Sequence, residues 1–78
     1  MELEHLGPAL RHLRQLRDLT QVQVAERSGC SKAQVSSYEL GRKLPRTSTL
    51  GRLLDAMGWR LFDLAHAMEH VKRNPPDE

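Results

Sequence analysis

Two capped helix starts lie close together in the middle of the chain, and they constrain the fold more than any other feature. Thr20 is followed three residues later by Gln23, and Ser31 three residues later by Gln34. In each case the hydroxyl can accept from the backbone N–H of the Gln, while the Gln side chain reaches back to the capping residue's own N–H. The spacing predicts one helix from Gln21 to Ser28 and a second over 32–40, opened by Ser31. Only Gly29-Cys30-Ser31 separates them, and Gly29 supplies the left-handed backbone that ends a helix sharply. Helices this short and this tightly joined must cross at a large angle and lean on further helices for a core.

Two helices joined in this way form a helix-turn-helix unit, here residues 21–40. Val24, Ala25 and Ser28 make the inner face of the first helix, and Ala25 is small where its neighbour must come close. On the second helix, at 100° per residue, Val35, Tyr38 and Glu39 fall on one side. Ala33 and Ser37 point the opposite way, Gln34 and Ser36 lie on the flanks, and Lys32 stands at the front. A slim, polar outer face of this kind suits the DNA major groove, where bulky side chains would hold a helix away from the base edges. Taken alone, an ordinary solvated face accounts for it better.

A longer run of residues narrows the choice. Leu10-Arg11-x-Leu13-Arg14 is followed by Leu19-Thr20-Gln21-x-x-Val24-Ala25, then by Gly29-Cys30-Ser31-x-x-x-Val35-Ser36-x-Tyr38-Glu39-x-Gly41-Arg42-x-x-Pro45, and finally by Leu50-x-x-Leu53-Leu54-x-Ala56-Met57-Gly58. Over residues 6–64, without a gap, this text resembles the phage-repressor and xenobiotic-response-element (XRE, Cro/C1-type) helix-turn-helix regulators. The resemblance implies an all-α, lambda-repressor-like bundle of five helices, acting as a homodimeric transcription regulator, most often a repressor, on a palindromic double-stranded DNA operator. It implies that Lys32, Ala33 and Ser37 read bases, with Gln34 and Ser36 as auxiliaries, and that Gln21 and Ser31 meet phosphate at the two helix starts. It also implies a salt bridge between Arg14 and Glu39. Asp18 stands where the family usually has Gly; Asp tolerates the left-handed conformation better than most residues.

The rest of the chain is read from pattern. Leu6, Leu10, Leu13 and Leu16 give a helical stripe over residues 8–17, with Pro8 acceptable in the first turn. Met1 to His5 is expected to be loose. Gly41 and Pro45 bound a loop in which Arg42, Lys43 and Arg46 can clamp phosphates beyond the recognition helix. Thr47 or Ser48 is expected to cap a fourth helix that ends at Met57 before Gly58. A fifth is expected over 61–71, with residues 72–78 as a flexible tail. Residues 1–71 would then be one domain. Trp59, Leu61, Phe62, Ala65 and Met68 gather in the last corner and are candidates for a homodimer contact, since aromatics and Met favour interfaces; packing within one chain is the alternative. The same surface would serve an antitoxin or other interaction module in docking a toxin or regulatory protein.

Charge distribution agrees with a DNA partner. The net charge is only +2, but residues 5–60 hold ten Lys or Arg against four acids, a balance of +6, and the remainder carries −4. Apolar residues make up 38% and aromatics 4%, so the small core must be built of Leu, Val, Ala and Met. A single Cys and the absence of a long apolar run or export signal lead us to expect a soluble protein of the cytoplasm. His66-Ala67-Met68-Glu69-His70 spells H-x-x-E-H, with two His one turn apart, but the chain offers no third ligand or cleft for a zinc enzyme. These His are expected to be solvated, and Cys30 to be an inert, buried thiol. With no nucleophile–base pair, carboxylate dyad or phosphate loop, the expectation is a non-enzymatic protein without metal or cofactor. No effector domain for a small ligand is expected within the chain.

Overall fold

A computed structural model describes residues 3–75. Five α-helices follow a 3₁₀ turn at Leu3–His5: α1 (Leu6–Leu16), α2 (Gln21–Ser28), α3 (Lys32–Glu39), α4 (Thr47–Met57) and α5 (Leu61–Arg73). No strand occurs among the described residues. Both capping boxes form. The Thr20 hydroxyl accepts from Gln23 N–H at 3.1 Å and Thr20 N–H donates to Gln23 Oε1 at 2.8 Å. The Ser31–Gln34 pair repeats both bonds at the same distances.

The first four helices stop in a common way. Each is followed by one left-handed residue and by an N–H that reaches back five residues: Leu19 to Arg14, Cys30 to Ala25, Arg42 to Ser37 and Trp59 to Leu54. Three of the left-handed residues are Gly; Asp18, at φ 54°, does the same work after α1.

Several boundaries differ from expectation. The chain before α1 is not loose from Leu3 onward but winds into the 3₁₀ turn, and α1 begins at Leu6, two residues earlier than predicted. Pro8 still falls in the first turn, where its missing N–H costs no helical bond. Neither Thr47 nor Ser48 caps α4: the N-cap is Arg46, without a side-chain bond. The last helix runs through Lys72 and Arg73, so those two residues are not tail. Its start is secured from inside the helix, where Asp63 Oδ2 accepts from Arg60 N–H at 2.8 Å. Met1, Glu2 and residues 76–78 lie outside the described residues.

The core is aliphatic, as the low aromatic content requires. Leu10, Leu13, Val24, Val35, Leu53, Leu54, Met57, Leu64, Met68 and Val71 are buried together, with Tyr38 as the buried aromatic. Each large side chain so buried contributes about 1.5–3 kcal/mol of transfer free energy. α5 packs mainly on α1, α4 on α2, and α3 on both α1 and α2. The α1–α3 approach depends on Gly7: a Cβ there would stand 2.6 Å from the Glu39 carbonyl oxygen and 2.7 Å from that of Tyr38. Nothing larger than a hydrogen fits between those backbones.

The corner assigned to a dimer contact divides. Met68 is 5% exposed and belongs to the monomer core, so it leaves the interface set. Trp59 is half-buried and engaged within the chain: its indole Nε1 donates to the Leu13 carbonyl at 3.0 Å. Arg17 lies over its ring at 3.9 Å, and the same guanidinium donates to the Met57 and Gly58 carbonyls at 3.1 Å each. A cation is thereby placed at the C-terminus of α4, where the helix dipole favours it. Leu61 and Phe62 stay 66% and 72% exposed, and Ala65 is half-buried.

Candidate nucleic-acid interface

The outer face of α3 is positioned by a buried carboxylate on its inner face. Glu39 receives Arg14 in a two-pronged bridge, Nε to Oε2 at 2.7 Å and Nη2 to Oε1 at 3.0 Å. Gln21 Nε2 adds a third bond to Oε1 at 3.1 Å. Arg14 spends its remaining reach on the Leu19 carbonyl, 2.8 Å from Nη1. One carboxylate therefore ties α3 to both α1 and α2. The side chains are 14% and 5% exposed, and a charge pair so far removed from water persists only when its hydrogen bonds are met, as they are here.

Val35, Tyr38 and Glu39 turn into the protein, and the expected outward set is exposed in part. Lys32, Ala33 and Gln34 are exposed, while Ser36 and Ser37 are half-buried on the same helix. Gln34 is not wholly free: its Oε1 is held by Ser31 N–H, which leaves the amide NH₂ as the outward donor. Ser31 is exposed, and its hydroxyl oxygen accepts from Gln34 N–H, so the hydroxyl hydrogen remains for an acceptor outside. Arg42, Lys43 and Arg46 are all exposed in the loop that follows α3. Gln21 is the exception among the phosphate candidates. It is half-buried, and its amide is engaged with Glu39, so within the chain it acts as a strut between α2 and α3.

Sequence reasoning found the Arg14–Glu39 pair through the resemblance but missed Gln21 as its third member. Eighteen residues separate Gln21 from Glu39 and no local spacing joins them. It also missed Gly7, whose only signal was a Gly in the first turn of a helix, and Arg17, one cation among many in the chain. Cys30 is half-buried against the core and free, in place of the full burial expected.

Two short crossed helices, capped alike, held by a buried ionic hub and presenting a small polar face, define a helix-turn-helix domain. A family model for that domain matches residues 5–66, and the chain belongs to the helix-turn-helix domain family. Two crystal structures of the clp gene regulator ClgR from Corynebacterium glutamicum share the fold. The first gives a TM-score of 0.82 at 30% identity and covers 88% of this chain and 90% of that one. The second gives 0.76 at 30% identity, covering 92% of this chain and 81% of that one. Among the curated proteins, none matches. Among the described residues, no helix is long and apolar enough to cross a membrane.

Proposed function

We propose that the chain is a sequence-specific, double-stranded-DNA-binding transcription regulator of the phage-repressor/XRE type, acting in the cytoplasm as a homodimeric repressor on a palindromic operator. The observation that carries this reading is the contrast between the two sides of α3. Its inner side is fixed to α1 and α2 through Glu39, while Lys32, Ala33 and Gln34 on its outer side are exposed. A rigid, slim, polar helix face with cations beside it is what major-groove reading requires. In this reading α3 enters the groove. Lys32 donates to guanine, Ala33 meets a thymine methyl, Ser37 bonds a base edge, and Gln34 and Ser36 assist. Ser31, Arg42, Lys43 and Arg46 hold phosphates, and Gln21 does so with the amide N–H that Glu39 leaves over. The similarity to a clp gene regulator supports the regulatory role.

A dimer would read half-sites roughly 34 Å, or about 10 base pairs, apart. Leu61 and Phe62, the most exposed large apolar side chains among the described residues, with Ala65 beside them and the open edge of Trp59, form the surface through which α5 would meet a second copy. That same exposure favours a second reading, in which α5 docks a toxin or another regulatory protein.

Titrating operator DNA selected from a random pool, at stated salt, against variants tests the assignment. Lys32→Ala and Ser37→Ala should each cost about 1–3 kcal/mol on the selected site and relax preference at one position. Arg42→Ala should weaken all sequences alike and reduce the salt slope by about 1. Equal losses for Lys32→Ala on selected and random DNA would remove it as a base reader.

A further inference from the structure

Three of the four His residues line a single groove between α1 and α5, in which His12 faces His66 and His70 beside Leu16, Trp59 and Asp63. Among the described residues no three His, Cys, Asp or Glu converge as metal ligands, so the groove is not a ready metal centre. What it does hold is a pair of stacked imidazoles. The rings of His12 on α1 and His70 on α5 lie 4.4 Å apart, centroid to centroid, and 19° from parallel. Two neutral rings stack well at this distance; two imidazolium rings repel.

We propose that the His12–His70 stack is a proton-operated fastening of α5 onto α1, closed when both rings are neutral and released when both take a proton.

The surroundings make the second proton hard to hold. His12 and His70 form the ridge between the groove just described and a second one lined by Glu4, Arg11, Glu39 and Asn74. Of the carboxylates facing the pair, Glu39 is taken by Arg14 and Gln21, and Asp63 by the N–H of Arg60. On the 3₁₀ turn, Glu4 lies 3.7 Å from the imidazole of His5, and on α5 Glu69 is paired with Arg73 at 3.3 Å. The remaining groups at hand, Arg11 on α1 and His66 on α5, are basic and offer no carboxylate to a second proton. His12 is held below the ordinary His range, first by burial and then by His70. Rings this close cannot both be charged without repelling each other across 4.4 Å, so a second positive charge opposes the stack.

The sign follows. A His whose folded pKa is depressed stays neutral in the fold while the unfolded chain takes up its proton. The stack therefore holds fully above about pH 6.5 and weakens as pH falls through and below that value. The part released is local. Ala67, Met68 and Val71 bury the same stretch of α5 in the core, and Asn74 closes its end with backbone and side-chain bonds to the His70 carbonyl. Release should loosen the last turns of α5 and leave the α2–α3 unit in place.

Amide hydrogen exchange on the full chain, corrected for intrinsic rates and compared at pH 7.5 and pH 5.5, tests the fastening. Exchange over residues 68–73 should quicken severalfold, up to about tenfold, relative to α2 and α3 in acid. In His12→Phe, which keeps a stacking ring but no titratable nitrogen, that acceleration should vanish. Equal protection at both pH values, or the same acid loosening in His12→Phe, would overturn the proposal. Because the variant could fail to fold, NMR titration of the unaltered chain gives a second reading. Coupled, two-step titration of His12 and His70 supports the fastening, and two independent titrations near the ordinary value refute it.

Discussion

Replacing Glu39 should harm this domain more than replacing Glu39 and Arg14 together. In Glu39→Met, the Arg14 guanidinium, only 14% exposed, would lose both carboxylate bonds and keep the Leu19 carbonyl alone. The Gln21 amide would lose its partner as well. A buried charge stranded in this way costs about 3–5 kcal/mol. Arg14→Met strands the carboxylate with only Gln21 to satisfy it and should cost a similar amount. A domain of 78 residues has about 4–12 kcal/mol of total stability, so either single change brings it near unfolding. The double variant removes both charges and leaves only the Gln21 amide and the Leu19 carbonyl to find water, about 1–3 kcal/mol. Urea denaturation followed by far-UV circular dichroism, with thermal melts in parallel, measures the cycle; single-variant melting temperatures should fall by on the order of 20 °C. If the singles each cost under about 1 kcal/mol and add in the double, the pair behaves as an exposed ion pair and the argument for a buried hub fails.

Other substitutions probe separate parts of the structure. Gly7→Ala should destabilise by about 1–3 kcal/mol although Ala is the better helix former, because its Cβ meets the carbonyls of Tyr38 and Glu39; a raised melting temperature would contradict that contact. Asp18→Gly should stabilise by about 0.5–1 kcal/mol in a thermal melt, the relief of a left-handed backbone less the entropy of Gly in the unfolded chain. Phe62→Ser should shift self-association in analytical ultracentrifugation while leaving monomer stability within about 0.5 kcal/mol, since the side chain is 72% exposed and meets His66 edge-on at the surface. Trp59→Phe should cost about 0.5–1.5 kcal/mol of monomer stability in a thermal melt by stranding the Leu13 carbonyl; an unchanged melting temperature would contradict that bond.

Local chemistry by itself determined the helix-turn-helix unit. Its caps, its Gly turn and its apolar face all act within four or five residues, a range over which sequence and structure are nearly the same thing. The exposure of Lys32, Ala33 and Gln34 follows from that local order once Val35, Tyr38 and Glu39 turn inward, while Ser36 and Ser37 stay half-buried. Packing between distant elements decided what remained. Met68 and the exposed Phe62 are both apolar members of α5, six residues apart, and only the position of α1 and the other helices makes one core and the other surface. Trp59 became an internal strut because the end of α1 brought Arg17 and the Leu13 carbonyl to it. Gln21 turned from a free polar side chain into part of the ionic hub because α2 crosses α3 beside Glu39. Hydrogen-bond geometry along one helix can be read from neighbours in the chain; which residues share a buried contact depends on how whole helices meet, and that is settled only when the core closes.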